Sequence, residues 1–388
     1  MKIIQLSTFF HPVTGGVETH VLNLSKELIK NGHEVLVYTS DSTKISGRLA
    51  KSETNFFGIN VLRFRSWLDL SYYHKFYPGV FWALLKENYD IVHVHGLRKT
   101  ESYMALLACK LKKKKVVLTT HNPFATTTRN NFAEKLIGFH DFFIGRLLIK
   151  HFDKIITIVP SEEELLYKKF GVPKKKIINV PNGVEEIFFT KGDAKNFYKE
   201  WNIEPDKWDG IVVSIGRISK GKGVQNLKES VKRLKNVLFF VAGGDDGYLK
   251  VLKNMYNKYD NIIFSEKFLT PEKQIDMYDA ADVMVMPSFF EAFGIVVLEA
   301  LAQGIPVLST NKGGPSEVFN EIEAVKLVDP FDQDAWQVSI EAIVKNKPRA
   351  QALGKSGQIF AEKFRWEKIT KTIIKVYEEV SSSQSIFK

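Results

Sequence analysis

The chain has 388 residues, 44% of them hydrophobic, which is long enough for two domains with sizeable cores. Its single cysteine, Cys109, excludes an internal disulfide and fits a reducing compartment. The net charge of +11 is uneven, because residues 1–186 carry 27 basic and 17 acidic side chains, a net +10, and the remaining residues carry only +1.

The first half of the chain alternates strand-like runs with amphipathic helical segments, a pattern that predicts a parallel α/β sheet. The predicted strands are Ile3–Ser7, Glu34–Tyr38, Ile91–His95, Val116–Thr120, Lys154–Val159 and Ile177–Pro181. The first run is too short for a signal peptide, and no apolar run reaches the roughly 18 to 20 residues of a membrane span. We therefore expect a cytoplasmic protein that is at most peripheral on the inner face of a membrane.

The second half repeats the pattern after residues 190–208, which are charged, lack a strand pattern and are predicted to link two domains. The predicted strands are Ile211–Ile215, Val237–Val241, Ile262–Ser265, Val283–Met286, Val307–Ser309 and Ala324–Val328. The sequence thus predicts two doubly wound domains, residues 1–189 and 190–364, followed by a helix at about 365–380.

Two features of the first half are candidates for ligand contact. Gly15 and Gly16 follow a strand and precede a helix predicted at Val17–Lys30, so their amides can approach an anion, although a plain turn explains them too. His121 ends a strand in Thr119-Thr-His-Asn122. His93 and His95 alternate on one strand and point to opposite faces, so they cannot chelate one ion together, and core packing is the expectation for His95.

The turn after the first strand of the second half contains Arg217 and Lys222, two cations that can grip a diphosphate. Lys220 is a further cation in this turn and leaves the register of the second contact open, and a solvated basic turn is the alternative. Gly243, in Gly243-Gly-Asp-Asp-Gly247, follows the next strand and lies where a nucleotide could rest. Turn chemistry explains its glycines equally well.

The segment Ser288-Phe-Phe-Glu-Ala-Phe-Gly-Ile-Val-Val-Leu-Glu299 is the most specific motif of the chain. If Gly294 opens a helix, Glu291 lies in the loop before its positive end and Glu299 projects from about its first turn. Carboxylates placed so can accept hydrogen bonds from sugar hydroxyls, while the helix-start amides near Phe293, Gly294 and Ile295 suit a phosphate. Two unrelated surface glutamates are the alternative, but the flanking strands favour a ligand.

This segment resembles the E-x7-E motif of the retaining glycosyltransferases of family 4, which have the GT-B fold. Further pieces match that family in order along nearly the whole chain: Gly15-Gly16-Val-Glu18, Thr120-His121, Pro181-Asn-Gly-Val184, Gly216-Arg217 with Lys222-Gly223, and Gly313-Gly314-Pro-Ser-Glu317. The resemblance implies two Rossmann-like domains facing a cleft, with a C-terminal helix crossing back to the N-terminal domain.

The resemblance also implies a reaction, the transfer of a hexose from a nucleotide diphosphate sugar to an acceptor hydroxyl. It implies that Arg217 and Lys222 bind the pyrophosphate, that Gly16 approaches it from the first domain, and that His121 lies beside the reacting sugar. Glu291 would hold sugar hydroxyls and Glu299 the ribose. Retention through a covalent intermediate and through same-face attack both stay open.

No metal cofactor is expected, because the fixed cations take the role that a metal plays in other glycosyltransferases. Asp332-Gln-Asp334 resembles a D-x-D metal motif, but it is predicted to cap a helix beginning near Ala335. A divalent cation also requires more oxygen ligands than this loop supplies.

The acceptor is expected to be a saccharide, a lipid-linked molecule or a small metabolite. The +10 of residues 1–186 and two aromatic stretches, Trp67–Trp82 and Phe132–Phe152, predict contact with an anionic membrane, although such aromatics can also pack between helix and sheet. Two rival functions are a nucleotide-sugar epimerase of the same fold and a basic nucleic-acid-binding protein. The second is disfavoured, because Lys112–Lys115 is a short run and no nucleic-acid-binding module is recognisable.

Overall fold

The computed structural model describes residues 1–43, 47–49, 52–69, 74–122 and 131–382. They form two compact units. The first contains the chain up to Gly183 and the last helix from Trp366, and the second runs from Val184 to Arg365. This boundary lies six residues before the predicted one at residue 189.

The first unit is built on an eight-stranded sheet. Its strands, with those of a small two-stranded ribbon, are β1 (Lys2–Ser7), β2 (Glu34–Ser40), β3 (Ser52–Phe56), β4 (Ile59–Phe64), β5 (Leu68–Asp69), β6 (Lys75–Phe76), β7 (Ile91–His95), β8 (Lys115–Thr119), β9 (Lys154–Thr157) and β10 (Ile177–Asn179). The sheet order is β10-β9-β8-β7-β1-β2-β4-β3, and only β3 is antiparallel to its neighbour. All six predicted strands are confirmed to within two residues, whereas β3 to β6 were not predicted.

Helices cover this sheet on both faces. Those preceding the unit boundary are α1 (Gly16–Lys30), α2 (Gly79–Lys86), α3 (Thr100–Lys112), α4 (Asn131–His140), α5 (Arg146–Leu148) and α6 (Ser161–Phe170), with a π-helical stretch, Asp141–Gly145, joining α4 to α5. Ile3, Ile4 and Leu6 of β1 are fully buried, as expected of a parallel strand covered on both faces. The strands β7 and β2 flank β1, so the order in which strands are added to the sheet reverses at β1.

The second unit has a six-stranded, wholly parallel sheet of order β13-β12-β11-β14-β15-β16. Its strands are β11 (Gly210–Ile215), β12 (Val237–Ala242), β13 (Ile262–Phe264), β14 (Val283–Met286), β15 (Val307–Thr310) and β16 (Val325–Val328). Its helices are α7 (Ala194–Trp201), α8 (Lys228–Arg233), α9 (Leu249–Tyr256), α10 (Pro271–Asp279), α11 (Ile295–Ala302), α12 (Pro315–Val318), α13 (Gln333–Val344) and α14 (Lys347–Ala361).

Residues 190–208 are not a linker, which corrects the sequence prediction. They contain α7, whose Phe197 and Trp201 both pack edge-on against Phe240 of β12, with ring centroids 4.8 Å apart in each pair. The charged residues of α7, which obscured its apolar pattern in the sequence, lie on its solvent side. Its aromatic side chains belong to the core of the second unit.

The last helix, α15 (Trp366–Ser382), belongs to the first unit. Its apolar stripe includes Ile369, Ile373 and Val376, at helical spacing, and packs with Ile3 and Leu24 into one core cluster. The fold class, two parallel-sheet α/β units with a helical C-terminus, is thus confirmed. Among the described residues, no helix combines the length and the apolar character that crossing a bilayer would demand.

Candidate functional site

In the second sheet, the order in which strands are added reverses between β11 and β14. Ligands in open α/β sheets bind at the carboxyl ends of the strands where the order reverses. The loops that leave these two strands contact each other. The Phe289 N–H donates to the Gly221 carbonyl at 2.9 Å. Gly223 has φ +73°, and a Cβ there would lie 1.9 Å from the Pro287 carbonyl oxygen, so only glycine fits this position. A pocket lined by Arg217, Lys222 and Ser288 opens beside the two loops.

Four charged side chains form two ion pairs at this place. Lys222 Nζ lies 2.6 Å from Glu291 Oε2, and Arg217 Nη1 lies 2.7 Å from Asp246 Oδ2. All four side chains are partly exposed. The neighbouring cation, Lys220, is exposed. Of these two lysines, Lys222 is the one that pairs with Glu291.

The backbone at Glu291 is held by the loop after β15. The Glu291 N–H donates to the Lys312 carbonyl at 3.2 Å, and the Gly314 N–H donates to the Glu291 carbonyl at 2.9 Å. A Cβ at Gly314 would lie 2.2 Å from the carbonyl oxygen of Ala292. The pair Gly313-Gly314 thus fixes the position of Glu291, a role that the sequence did not predict.

Gly294 opens α11 as predicted, with φ +89° at the N-cap. Glu299 lies inside this helix and is half-buried, and its burial, aided by the nearby Glu185 carboxylate, raises its pKa to about 8. The Glu299 carboxyl therefore holds its proton to a higher pH than an ordinary glutamate does. Phe293 is buried and Ile295 half-buried at the helix start.

Gly243 lies at the end of β12 but contacts the site through its backbone. Its amide already donates to Ser265 Oγ at 3.0 Å. A Cβ there would lie 1.7 Å from the Gly216 carbonyl oxygen, so this glycine allows the turn that carries Arg217 to approach β12.

In the first unit, the corresponding reversal of strand order lies between β1 and β7. Gly16 begins α1 there, and the space that a Cβ at Gly16 would occupy is open within 4 Å. The unit therefore leaves room beside the start of α1, where the sequence predicts contact with an anion.

Next to this turn lies a group of three histidines, here called the histidine cluster: His20, His95 and His121. His95 Nδ1 is 3.1 Å from His121 Nε2, and the His20 ring centroid is 4.8 Å from that of His121. Burial lowers the pKa of His20 to about 4 and those of His95 and His121 well below the usual value. The three imidazoles are therefore neutral at pH 7 and act as hydrogen-bonding groups.

His20 was not singled out from the sequence, although it lies on the first turns of the helix that Gly16 begins. Its Nδ1 lies 2.7 Å from Oδ1 of Asn182, the asparagine of Pro181-Asn-Gly-Val184. Three separate motifs of the first half, around Gly16, His121 and Asn182, thus meet in one place. His95 is fully buried, as predicted.

The histidine cluster is the group of described residues that could hold a metal ion, since one nitrogen of each ring lies within 4.8 Å of the others. Hydrogen bonding already explains the closest pair, His95 and His121. Asp332 caps α13 as predicted, with its carboxylate accepting the Ala335 N–H at 2.9 Å. The D-x-D resemblance is therefore a helix cap.

Two family profiles match successive parts of the chain. The profile described as "Glycosyltransferase Family 4" matches residues 14–186, and "Glycosyl transferases group 1" matches residues 198–360. Among curated relatives, the GPI3 subunit of phosphatidylinositol N-acetylglucosaminyltransferase from Saccharomyces cerevisiae is 25% identical over 99% of this chain and 84% of its own length. D-inositol 3-phosphate glycosyltransferase from Corynebacterium diphtheriae is 22% identical over 98% of this chain and 95% of its own.

Solved structures give the same result for the fold. Sucrose-phosphate synthase from Thermosynechococcus elongatus superposes with a TM-score of 0.79 at 21% identity, over 99% of this chain and 100% of that chain. Anabaena Alr3699/HepE, solved in complex with UDP-glucose, gives 0.77 at 17% identity over 98% and 100% of the respective chains.

Proposed function

We propose a reaction from one premise: the chain belongs to glycosyltransferase family 4 and has the GT-B fold. The proposed reaction is the transfer of a hexose, with retention of its anomeric configuration, from a nucleotide diphosphate sugar to an acceptor hydroxyl. The observation that carries it is the Lys222–Glu291 pair at 2.6 Å, beside Arg217 and before the start of α11. A cation for phosphate and a carboxylate for sugar hydroxyls, side by side, match the two ends of a sugar–phosphate bond.

The charges in this region match those that develop during transfer. When the bond from the anomeric carbon to the phosphate oxygen breaks, negative charge grows on the departing diphosphate and positive charge on the sugar ring. Arg217, Lys222 and the first amides of α11 would stabilise the diphosphate more in the transition state than in the ground state. Donor binding would exchange the carboxylate partner of Lys222 for phosphate and leave Glu291 to accept from sugar hydroxyls.

The remaining predicted residues take roles that their chemistry permits. Glu299 would bind the two ribose hydroxyls, and its high pKa in the free protein would fall when they donate to the carboxylate. His121 is neutral, so it would form a hydrogen bond to a sugar hydroxyl without bringing charge. Gly16 would offer its amide to the diphosphate.

The reaction is proposed to need no metal, because fixed cations supply the stabilisation of the leaving group. We expect full transferase activity in excess EDTA. Loss of activity in EDTA that Mg²⁺ or Mn²⁺ restores would refute this part of the proposal.

The first experiment is a thermal-shift screen of the protein against a panel of nucleotide sugars, since a ligand that binds only the folded state raises Tm. The donor found is then incubated with and without candidate acceptors, and the anomeric configuration of the product is read by NMR. Isomerised sugar nucleotide formed without acceptor would support the epimerase instead. If no nucleotide sugar raises Tm, the proposed donor class is wrong.

The acceptor is proposed to be lipid-linked or close to a membrane. The name of one relative refers to phosphatidylinositol, and the name of another refers to D-inositol 3-phosphate. An exposed apolar surface on the first unit favours the lipid. We call it the aromatic face, and it consists of Phe139, Phe142, Phe143 and Leu147, which are 60%, 60%, 56% and 58% exposed.

Basic side chains accompany the aromatic face. The guanidinium of Arg146 lies 5.8 Å from the centroid of the Phe142 ring, and Lys150 is exposed one turn further along. A contiguous exposed apolar surface marks an interaction site, and each cation near an anionic headgroup layer contributes about 1 kcal/mol. Phe152, in contrast, is fully buried, so only part of the predicted aromatic stretch packs in the core.

Sedimentation with vesicles tests this surface. The protein should bind vesicles rich in anionic phospholipid, bind neutral vesicles weakly, and lose binding at high salt and in Phe142→Ser/Phe143→Ser. Ile359→Ser is the matched control, because this side chain is 66% exposed on the second unit. Equal binding to anionic and neutral vesicles, or unchanged binding of the double variant, would leave a soluble acceptor as the better proposal.

A further inference from the structure

A continuous chain of hydrogen bonds runs through the interior of the first unit, from β8 through α15 and back to His121. Its successive contacts are His121 Nε2 to His95 Nδ1 at 3.1 Å, His95 Nε2 to Gln5 Oε1 at 2.6 Å, Gln5 Nε2 to Tyr377 Oη at 3.2 Å, Tyr377 Oη to His93 Nδ1 at 2.6 Å, and His93 Nε2 to Thr119 Oγ1 at 2.7 Å. Apart from His121, every member is buried. Such a network is stable only if each link has one donor and one acceptor.

Between Gln5 and His121, the Gln5 side chain determines which atom of each hydrogen bond donates. The amide oxygen faces His95 and can only accept, so His95 Nε2 carries the proton. His95 is neutral, so its Nδ1 is bare and must accept. The proton of the last contact therefore belongs to His121 Nε2, which donates to His95.

The other side of the chain is consistent with the same direction. The Gln5 amide nitrogen donates to the phenol oxygen of Tyr377, and burial raises the pKa of Tyr377, so its hydroxyl keeps its proton. That hydroxyl can donate to His93 Nδ1, and His93 Nε2 can donate to Thr119. With the Gln5 amide in this orientation, all five contacts have one proton each.

We propose that Gln5 is a positioning residue that holds His121 in the Nε2–H tautomer and leaves its Nδ1 as a hydrogen-bond acceptor. Within the described part of the chain, Nδ1 of His121 forms no hydrogen bond. Its lone pair is thus available to a ligand that brings a hydroxyl donor. This assignment rests on the proposed function, in which the donor is a hydroxyl of the transferred sugar. A ligand that offers only a hydrogen-bond acceptor at this place is disfavoured.

Two substitutions at one position separate the role of Gln5 in proton placement from its role in packing. Gln5→Glu keeps an oxygen that accepts from His95 and should keep the His121 tautomer. Gln5→Met has a similar shape but lacks the amide acceptor, so the His95 proton is free to move to Nδ1. His95 would then donate to His121 Nε2, and the proton of His121 would move to Nδ1.

NMR of the ¹⁵N-histidine-labelled protein at neutral pH reads the tautomer directly from the two ring-nitrogen shifts. The chain has nine histidines, and His121→Gln identifies the signals of His121 by their loss. The wild type and Gln5→Glu should show the Nε2–H form, and Gln5→Met the Nδ1–H form or a mixture. An Nδ1–H form in the wild type, or the wild-type pattern in Gln5→Met, would overturn the proposal.

Activity gives the second readout. We expect kcat/KM to fall about ten-fold in Gln5→Met and to change much less in Gln5→Glu, the loss expected for one hydrogen bond. The NMR experiment tests the role of Gln5, and the activity measurement tests the proposed reaction, so each can be refuted without the other. The expected tautomers without any transferase activity would refute the proposed reaction but not the role of Gln5, whereas full activity in a Gln5→Met protein with a changed tautomer would show that His121 Nδ1 does not contact the substrate.

Discussion

The histidine cluster of the first unit and the ion-pair site of the second occupy the same place in their sheets but have opposite chemistry. Each lies at the carboxyl ends of strands at or beside the point where the strand order reverses. The histidines lie at or after the ends of β1, β7 and β8, and the ion-paired residues after the ends of β11, β12 and β14. In the first unit the titratable groups are neutral imidazoles, whereas in the second they are two cations paired with carboxylates. The topology decides where a ligand binds, and the side chains decide whether hydroxyls or phosphates are bound.

Desolvation explains the difference. An imidazole with a usual pKa near 6.5 loses its charge at little cost when it is buried, and then works as a neutral donor and acceptor. Arg217 and Lys222, in contrast, are partly exposed and have carboxylate partners, which offset the cost of removing their charges from water. A diphosphate can replace those partners because it offers the same negative charge.

The largest expected effect is the loss of a charge in the second unit. Glu291→Ala, Arg217→Ala and Lys222→Ala should each lower kcat by about 10² to 10³-fold, because each removes a preorganised group whose interaction strengthens in the transition state. Lys220→Ala is the matched control, since this lysine is exposed in the same turn, and its kcat should stay near that of the wild type.

Steady-state kinetics with the identified donor measure these effects, and circular dichroism checks that each variant is folded. Equal losses in Lys220→Ala and Lys222→Ala would mean that the turn acts through its general positive charge rather than through the contact with Glu291. A folded Glu291→Ala protein with normal turnover would remove Glu291 from the catalytic residues.

Much of the ion-pair site could be predicted because its residues are close in sequence to strand ends. Gly294 opens α11 as expected, and the apolar strands β11 and β14 place Arg217 and Glu291 at one edge of the sheet. The sequence favoured Lys222 but left Lys220 open, because the local pattern does not show the left-handed turn at Gly223 or its approach to Pro287.

The histidine cluster was harder to predict, because it depends on contacts distant in sequence. His20 meets Asn182, 162 residues away, and the Gln5 amide contacts Tyr377, 372 residues away. No local pattern of charge or hydropathy encodes such pairs. The hairpin of β3 and β4 was missed for another reason: its turn at Phe57 and Gly58, both with positive φ, was not recognised as a hairpin signal.

A smaller effect tests whether the ion-pair site depends on the close approach of its two loops. Gly223→Ala would place a Cβ 1.9 Å from the Pro287 carbonyl at φ +73°. We expect a loss of about 1–3 kcal/mol of unfolding free energy from overpacking, together with weaker donor binding. Gly221→Ala is the control, because a Cβ there meets nothing within 4 Å.

Urea unfolding and donor titration of the two alanine variants measure these effects. If Gly223→Ala is as stable as Gly221→Ala and binds donor equally well, the contact between the loops does not organise the site.

The last prediction uses pH, to which the two regions should respond in opposite directions. His20 has a folded-state pKa of about 4, below its usual 6.5, so the unfolded chain binds protons first and stability falls as the pH drops from 6.5 towards 4. Glu299 has a folded-state pKa of about 8, above its usual 4.5, so the folded chain holds its proton longer and stability falls as the pH rises from 4.5 to 8. Each proton contributes at most about 1.4 kcal/mol per pH unit.

Unfolding free energies of the wild type, His20→Gln and Glu299→Gln, measured from about pH 5 to about pH 8, should therefore diverge. Relative to the wild type, Glu299→Gln should gain stability towards the alkaline end and His20→Gln towards the acid end, because each substitution removes one of the two titrations. Parallel curves for Glu299→Gln and the wild type would show that Glu299 is ionised in the folded protein at neutral pH, which would leave the ion-pair site with an additional negative charge for a diphosphate to overcome.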